Sequence, residues 1–163
     1  SVRTVVDIGG QDSKVIRLND DGSVKNFVMN DKCAAGTGRF LEMMAKTMEM
    51  SLDELSKVGL SYQEDITISS MCTVFAESEV VSLIAQNKAT DDIVHGLNKA
   101  VAAKTASLVK RVGGEEAYMM TGGVAQNQGL VRTLEERLGT KLVISDKSQL
   151  CGALGAALFA AEM

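Results

Sequence analysis

The chain has 163 residues, 45% of them apolar, with 17 basic against 21 acidic side chains. That is enough for one well-filled core, and a net charge of −4 with no basic block argues against a nucleic-acid partner. No run reaches the length of a membrane span and no signal-peptide pattern is present, so the expectation is a cytoplasmic protein with no membrane partner and reduced thiols.

The first strand pattern begins almost at Ser1, as in a trimmed chain or an excised domain. From Thr4 to Asn30, "TVVDIGG", "SKVIRL" and "VKNFVMN" alternate like strands around Gly- and Asp-rich turns, an antiparallel meander. Phe40, Met44 and Met48 recur at helical spacing, which predicts a helix over Arg39 to Met50. "SLDELSKVG" predicts a second helix, with Ser51 and Glu54 spaced as a capping box. "DITISS" alternates like a strand. Helices follow over Thr73 to Asn87 and Asp91 to Val112, the latter closed by Gly113-Gly114. "EAYMMTGG" is a strand entering a glycine turn, then come a helix to Leu138, the strand "KLVIS", and a small-residue helix from Gly152 to Met163. The order βββ-α-β-α-β-α with insertions implies one α/β domain, residues 1–163, built on a mixed sheet with flanking helices.

Two glycine loops stand at strand ends. In "DIGGQDSK" the backbone at Gly9 and Gly10 could approach an anion, with Asp7 placed to hold Mg²⁺ through water. In "MTGGVAQNQG" the Gly122-Gly123 pair would let a ribose or a flat ring lie against the backbone. Taken singly, each is also what an ordinary hairpin or βα turn looks like. Neither a Walker A loop nor a GxGxxG fingerprint occurs. Two such loops at the strand ends of one sheet strengthen the ligand reading, because ligands of α/β sheets gather there.

Cys33 and Cys72 each precede a predicted helix start, where the helix dipole favours a thiolate. A small buried side chain is the competing reading of each. If both bind metal, an all-cysteine [4Fe–4S] cluster needs four thiolates, and a twofold dimer supplies two from each chain. Cys151, ahead of "GALGAALFAA", reads as structural in a closely packed helix. The lone histidine, His95, is assigned no role. Met43, Met44, Met48 and Met50 read as core filling, and Glu77 and Glu79 as dipole partners in a first helical turn.

The segments "DIGGQDSKVI", "NDKCAAGTGRFLE", "SSMCTVFAESEV", "MTGGVAQN" and "GALGAALFA" resemble the activators of 2-hydroxyacyl-CoA dehydratases. These are ATPases of the BadF/BadG/BcrA/BcrD type, grouped with the ATPase subunits of benzoyl-CoA reductase. The resemblance runs from near Thr4 to the end. It implies the actin-like, Hsp70 and acetate/sugar-kinase fold (ribonuclease H-like), with ATP or ADP and Mg²⁺ in a cleft between two domains. It places Asp7, Gly9, Gly10 and Gln11 at the phosphates and Mg²⁺, with Asp7 and Gln11 catalytic. Gly122, Gly123 and Val124 fall at the nucleoside, and Cys33 and Cys72 at a [4Fe–4S] cluster shared by a homodimer. The implied activity is ATP-driven delivery of one electron to a 2-hydroxyacyl-CoA dehydratase or a benzoyl-CoA-reductase-like component. A low-potential ferredoxin or flavodoxin would be the donor. The chain resembles only the second half of such a protein, without the first phosphate-binding domain, so the expectation is weak turnover from the chain alone. Two further readings compete: a sugar- or acetate-kinase-like nucleotide-binding domain, and a non-catalytic dimerisation or docking module.

Overall fold

The computed structural model describes residues 1–69 and 72–163. The meander forms as β1 (Thr4–Ile8), β2 (Ser13–Leu18) and β3 (Val24–Asn30), followed by α1 (Gly38–Thr47), α2 (Leu52–Val58), α3 (Thr73–Ala85) and α4 (Thr90–Val112). Then come β4 (Tyr118–Thr121), α5 (Gln128–Leu138), β5 (Leu142–Ile144) and α6 (Cys151–Ala161). The strands lie in one five-stranded mixed sheet, ordered β3-β2-β1-β4-β5. β1 and β2, and β2 and β3, pair antiparallel; β4 is parallel to both β1 and β5.

The period-2 pattern of β1 and β2 turns Val6, Ile8 and Val15 to one face, where they are fully or almost fully buried. Phe40 and Met44 of α1, Leu55 of α2, Ile93, Leu97 and Val101 of α4, and Leu130 and Leu134 of α5 complete the core. Met43, Met48 and Met50 pack partly buried around it. Local signals fix the helix ends. Ser51 and Glu54 form the capping box, and Gly113 closes α4 in the left-handed conformation at φ +69°. Asn127 caps α5 by accepting from the Leu130 N–H at 2.9 Å.

Three expectations need correction. Asp65 to Ser69 forms no strand, and Ser70, the last residue of that predicted strand, lies outside the described residues. Ile66 and Ile68 are buried as the alternation implies, but against α4, where a Cβ on Gly96 would stand 3.1 Å from the Ile66 carbonyl oxygen. Alternation reports one buried side, and packing on a helix satisfies that as well as a ladder does. Glu77 and Glu79 are not in the first turn of α3; Glu77 accepts from the Thr47 hydroxyl and Glu79 from the Ser69 N–H, each at 3.0 Å. Finally, no residue of α6 is buried, and Cys151 is half-buried with its Sγ 3.5 Å from the Lys147 carbonyl oxygen. Small residues permit close packing, but among the described residues no other helix or strand covers α6.

His95 sits inside, its ring stacked on Tyr62 with centroids 3.5 Å apart, and burial holds its pKa below the ordinary histidine value. No helix among the described residues is long and apolar enough to cross a membrane.

Candidate functional site

β1 and β4 run parallel with Asp7 opposite Thr121, so the two glycine loops leave adjacent strands at the same edge of the sheet. Between them opens a cleft of about 710 Å³. That volume lies within the range of small-molecule sites, at the carboxyl ends of strands where such sites form. Asp7, Gly9, Gly10, Gly122, Gly123 and Val124 all line it. Gln11 does not, and is exposed in the hairpin turn.

The hairpin is closed by the Gly9 N–H donating to the Asp12 carbonyl at 3.0 Å. Its own carbonyls point at α1. The Gly38 N–H donates to Gly9 O at 2.8 Å, and the Arg39 N–H to Gly10 O at 2.7 Å. These are two of the first-turn donors that a helix cannot satisfy internally. Gly38 is a glycine because a Cβ there would stand 3.1 Å from both Gly9 O and Gly10 Cα and 3.3 Å from Val124 Cγ2. Hairpin, helix start and second glycine loop therefore meet at one residue.

The second loop is held as tightly. Gly122 has φ +87° and ψ 169°, a region essentially reserved for glycine, and its backbone presses on Ile8. Its N–H donates to Ser148 O at 2.9 Å, which brings Gln149, Gly152 and Ala153 to the rim of the cleft.

Asp7 is the carboxylate at the floor. Its Oδ1 accepts from the Thr121 hydroxyl at 2.6 Å, and its Oδ2 lies 3.8 Å from Lys14 Nζ. Lys14 is closer to Asp12, at 2.8 Å, and that hydrogen bond holds the ammonium above the ordinary lysine pKa. One Asp7 oxygen is thus fixed by Thr121, while the side chain stays partly open to the cleft. That suits a carboxylate that orders a hydrated divalent cation. Thr121 and Lys14 were not singled out in the sequence; only the β1–β4 and β1–β2 registers bring them to Asp7. The rest of the lining comes from Leu41 and Glu42 of α1, Leu52, Asp53 and Ser56 of α2, and Gln126 and Asn127 before α5.

Cys33 and Cys72 are both exposed. Cys33 lies in the loop ahead of α1, where Asn30 Nδ2 donates to Cys33 O at 2.8 Å and to Ala35 O at 3.1 Å. Cys72 is the N-cap residue of α3. The two helices that follow these cysteines are joined by the Thr47–Glu77 hydrogen bond. Among the described residues, no three His, Cys, Asp or Glu side chains come together as a metal-binding group.

Fold and cleft together define an α/β domain of the actin-like class with an open cleft between its two glycine loops. Residues 1–160 match the BadF/BadG/BcrA/BcrD ATPase family, and the chain belongs to that family. It is similar to the solved activator of the 2-hydroxyisocaproyl-CoA dehydratase from Clostridium difficile with bound ADPNP. There the TM-score is 0.95 at 51% identity, over 98% of this chain and 60% of that one. It is 49% identical over 160 residues to the (R)-2-hydroxyglutaryl-CoA dehydratase activating ATPase of Acidaminococcus fermentans, covering 98% of this chain and 61% of the relative. A ParM protein, pCBH ParM, shares the fold alone, with a TM-score of 0.57 at 12% identity over 98% of this chain and 46% of that one. The chain thus spans about three-fifths of the length of its high-identity relatives.

Proposed function

We propose that this chain is the nucleotide-binding and cluster-holding part of an ATP-dependent activator that delivers one electron to a 2-hydroxyacyl-CoA dehydratase. The observation that carries the reading is the pair of hydrogen bonds from Gly38 and Arg39 to the carbonyls of Gly9 and Gly10. They tie the hairpin that would face the phosphates to the helix that follows Cys33. Any displacement of the hairpin between nucleotide states would move the first turn of α1 and the loop that Asn30 braces.

In this reading Gly9 and Gly10 approach the phosphates and Asp7 orders the Mg²⁺ shell. Gln11, at the turn, would reach the site only when the hairpin closes on a nucleotide. Gly122, Gly123 and Val124 flank the nucleoside. A [4Fe–4S] cluster supplies low-potential one-electron chemistry, and its usual donor set is four thiolates. The chain fits that group in part: Cys33 and Cys72 are exposed and lead into two mutually bonded helices, so two copies of the chain would complete the set. A reduced ferredoxin or flavodoxin is the class of donor such a protein needs. The uncovered α6 meets the cleft rim at Gly152 and Ala153, which supports a further domain as the second wall. Hydrolysis by the chain alone is accordingly weak.

The test is anaerobic reconstitution with iron and sulfide, followed by metal analysis. Cys33→Ser and Cys72→Ser should each abolish iron binding, and Cys151→Ser should leave it intact. Loss of iron in Cys151→Ser alone would overturn the ligand assignment. Electron delivery to a dehydratase should then differ among ATP, ADP and a non-hydrolysable analogue; equal rates in all three leave a plain electron carrier.

A further inference from the structure

We infer that Tyr62 and His95 are positioning residues for Cys72: their stacked rings clamp residues 62–69 along α4, and that segment seats the start of α3. What Cys72 does there rests on the cluster reading above; the clamp rests on contacts alone. Residues 62–69 join no sheet, so their backbone needs partners elsewhere. It finds them at both ends. The Gln63 and Glu64 N–H groups donate to one Asp92 oxygen of α4, at 2.7 and 2.9 Å. The Ser69 N–H and hydroxyl each donate to the Glu79 carboxylate of α3 at 3.0 Å. Between them Asp65 pairs with Lys99 of α4, and Ile66 and Ile68 are buried. The segment is thus tied to α4 where it starts and to α3 where it finishes, and Cys72 is the N-cap of that second helix.

The ring stack holds the start of the segment. Tyr62 is 40% exposed, so its ring does not fill the core; it lies flat on His95, centroids 3.5 Å apart and planes 2° from parallel. His95 is buried within α4 and gives that ring a fixed floor. Charged groups face the imidazole from each element packed on it. Asp65 Oδ1 lies 3.8 Å from Nε2, Asp92 and Lys99 flank it on α4, and Arg132 and Glu136 of α5 line the small pocket it shares with Tyr62. Burial is the largest influence and, with Lys99, lowers the histidine pKa against the opposing pull of Asp65 and Glu136. A proton on the ring therefore favours any opening that lets water reach it.

The experiment is amide hydrogen exchange on the full chain, read by mass spectrometry, followed by chelator competition after anaerobic loading with iron and sulfide. Tyr62→Ala should speed exchange at residues 62–69 and 73–76 by about three- to tenfold, the loss of one aromatic pair, and leave residues 38–41 as in wild type. Tyr62→Phe keeps the stack and should restore both. In wild type, going from pH 7.5 to 5.5 should cut the protection of residues 62–69 by up to about tenfold, after correction for intrinsic exchange, because the opened histidine titrates near the ordinary 6.5. His95→Gln should lack that pH dependence. Iron affinity should fall about tenfold in Tyr62→Ala and hold in Tyr62→Phe. A pH profile shared by wild type and His95→Gln overturns the inference, as does exchange at residues 73–76 that ignores Tyr62→Ala. Equal acceleration at residues 38–41 also overturns it, since that marks plain destabilisation. So does unchanged iron affinity while residues 73–76 open, because Cys72 then needs no seat. If the exchange results hold but wild type binds no iron, the clamp stands and the cluster reading falls.

Discussion

Replacing Gly122 by alanine probes the point where the two glycine loops are pressed together. The new methyl would stand 2.2 Å from the Ile8 carbonyl oxygen and 2.6 Å from its carbon, and both are backbone atoms of the neighbouring strand. No rotamer change relieves that overlap; β1 and β4 must move apart. A side chain forced into this backbone region costs about 1–3 kcal/mol, and overpacking adds a further ~1–3 kcal/mol. The sum, ~2–6 kcal/mol, is a large share of the ~5–15 kcal/mol that holds a domain folded. Gly10→Ala is the matched control, because a Cβ there meets nothing within 4 Å. Urea unfolding followed by circular dichroism should show a large drop in midpoint for Gly122→Ala and a change under ~1 kcal/mol for Gly10→Ala. If Gly122→Ala unfolds within 1 kcal/mol of wild type, the account of how the loops are seated is wrong.

Three other outcomes are expected. Gly38→Ala should fold, because its contacts can yield by a few tenths of an ångström, but it should weaken ADP binding measured by calorimetry by pushing the Gly9–Gly10 hairpin away from Val124. Unchanged affinity would detach α1 from the cleft. Thr121→Val removes the donor to Asp7 and should cost about 1–3 kcal/mol of stability and shift the Mg²⁺ dependence of nucleotide binding, read by unfolding and by magnesium titration. The pH profile follows from His95. Burial lowers its folded pKa below the ordinary histidine value of 6.5, so the unfolded chain binds more protons over that window. Its contribution is complete above pH ~6.5 and is lost as pH falls from there toward the depressed folded value. The difference in urea midpoint between wild type and His95→Gln should therefore shrink on going from pH 7.5 to 5.5, and a constant difference would contradict the burial argument.

Local chemistry carried much of this protein in its sequence. Alternation and turn residues defined the meander, Ser51 with Glu54 and Gly113 marked helix ends, and the Gly-Gly pairs marked the loops that line the cleft. These signals are short-range, set by side chains and dihedrals within a few residues of each other. The parallel pairing of β1 with β4 is not short-range, and it alone places Thr121 on Asp7 and presses Gly122 against Ile8. Nor did sequence separate a strand from a segment packed on a helix at Asp65 to Ser69, because both bury every second residue. The same limit applies to α6, whose small apolar residues look the same whether or not a partner covers them. Composition determines what a segment can bury; only tertiary contacts decide what it meets, and the join between the hairpin carbonyls of Gly9 and Gly10 and the first turn of α1 is such a contact.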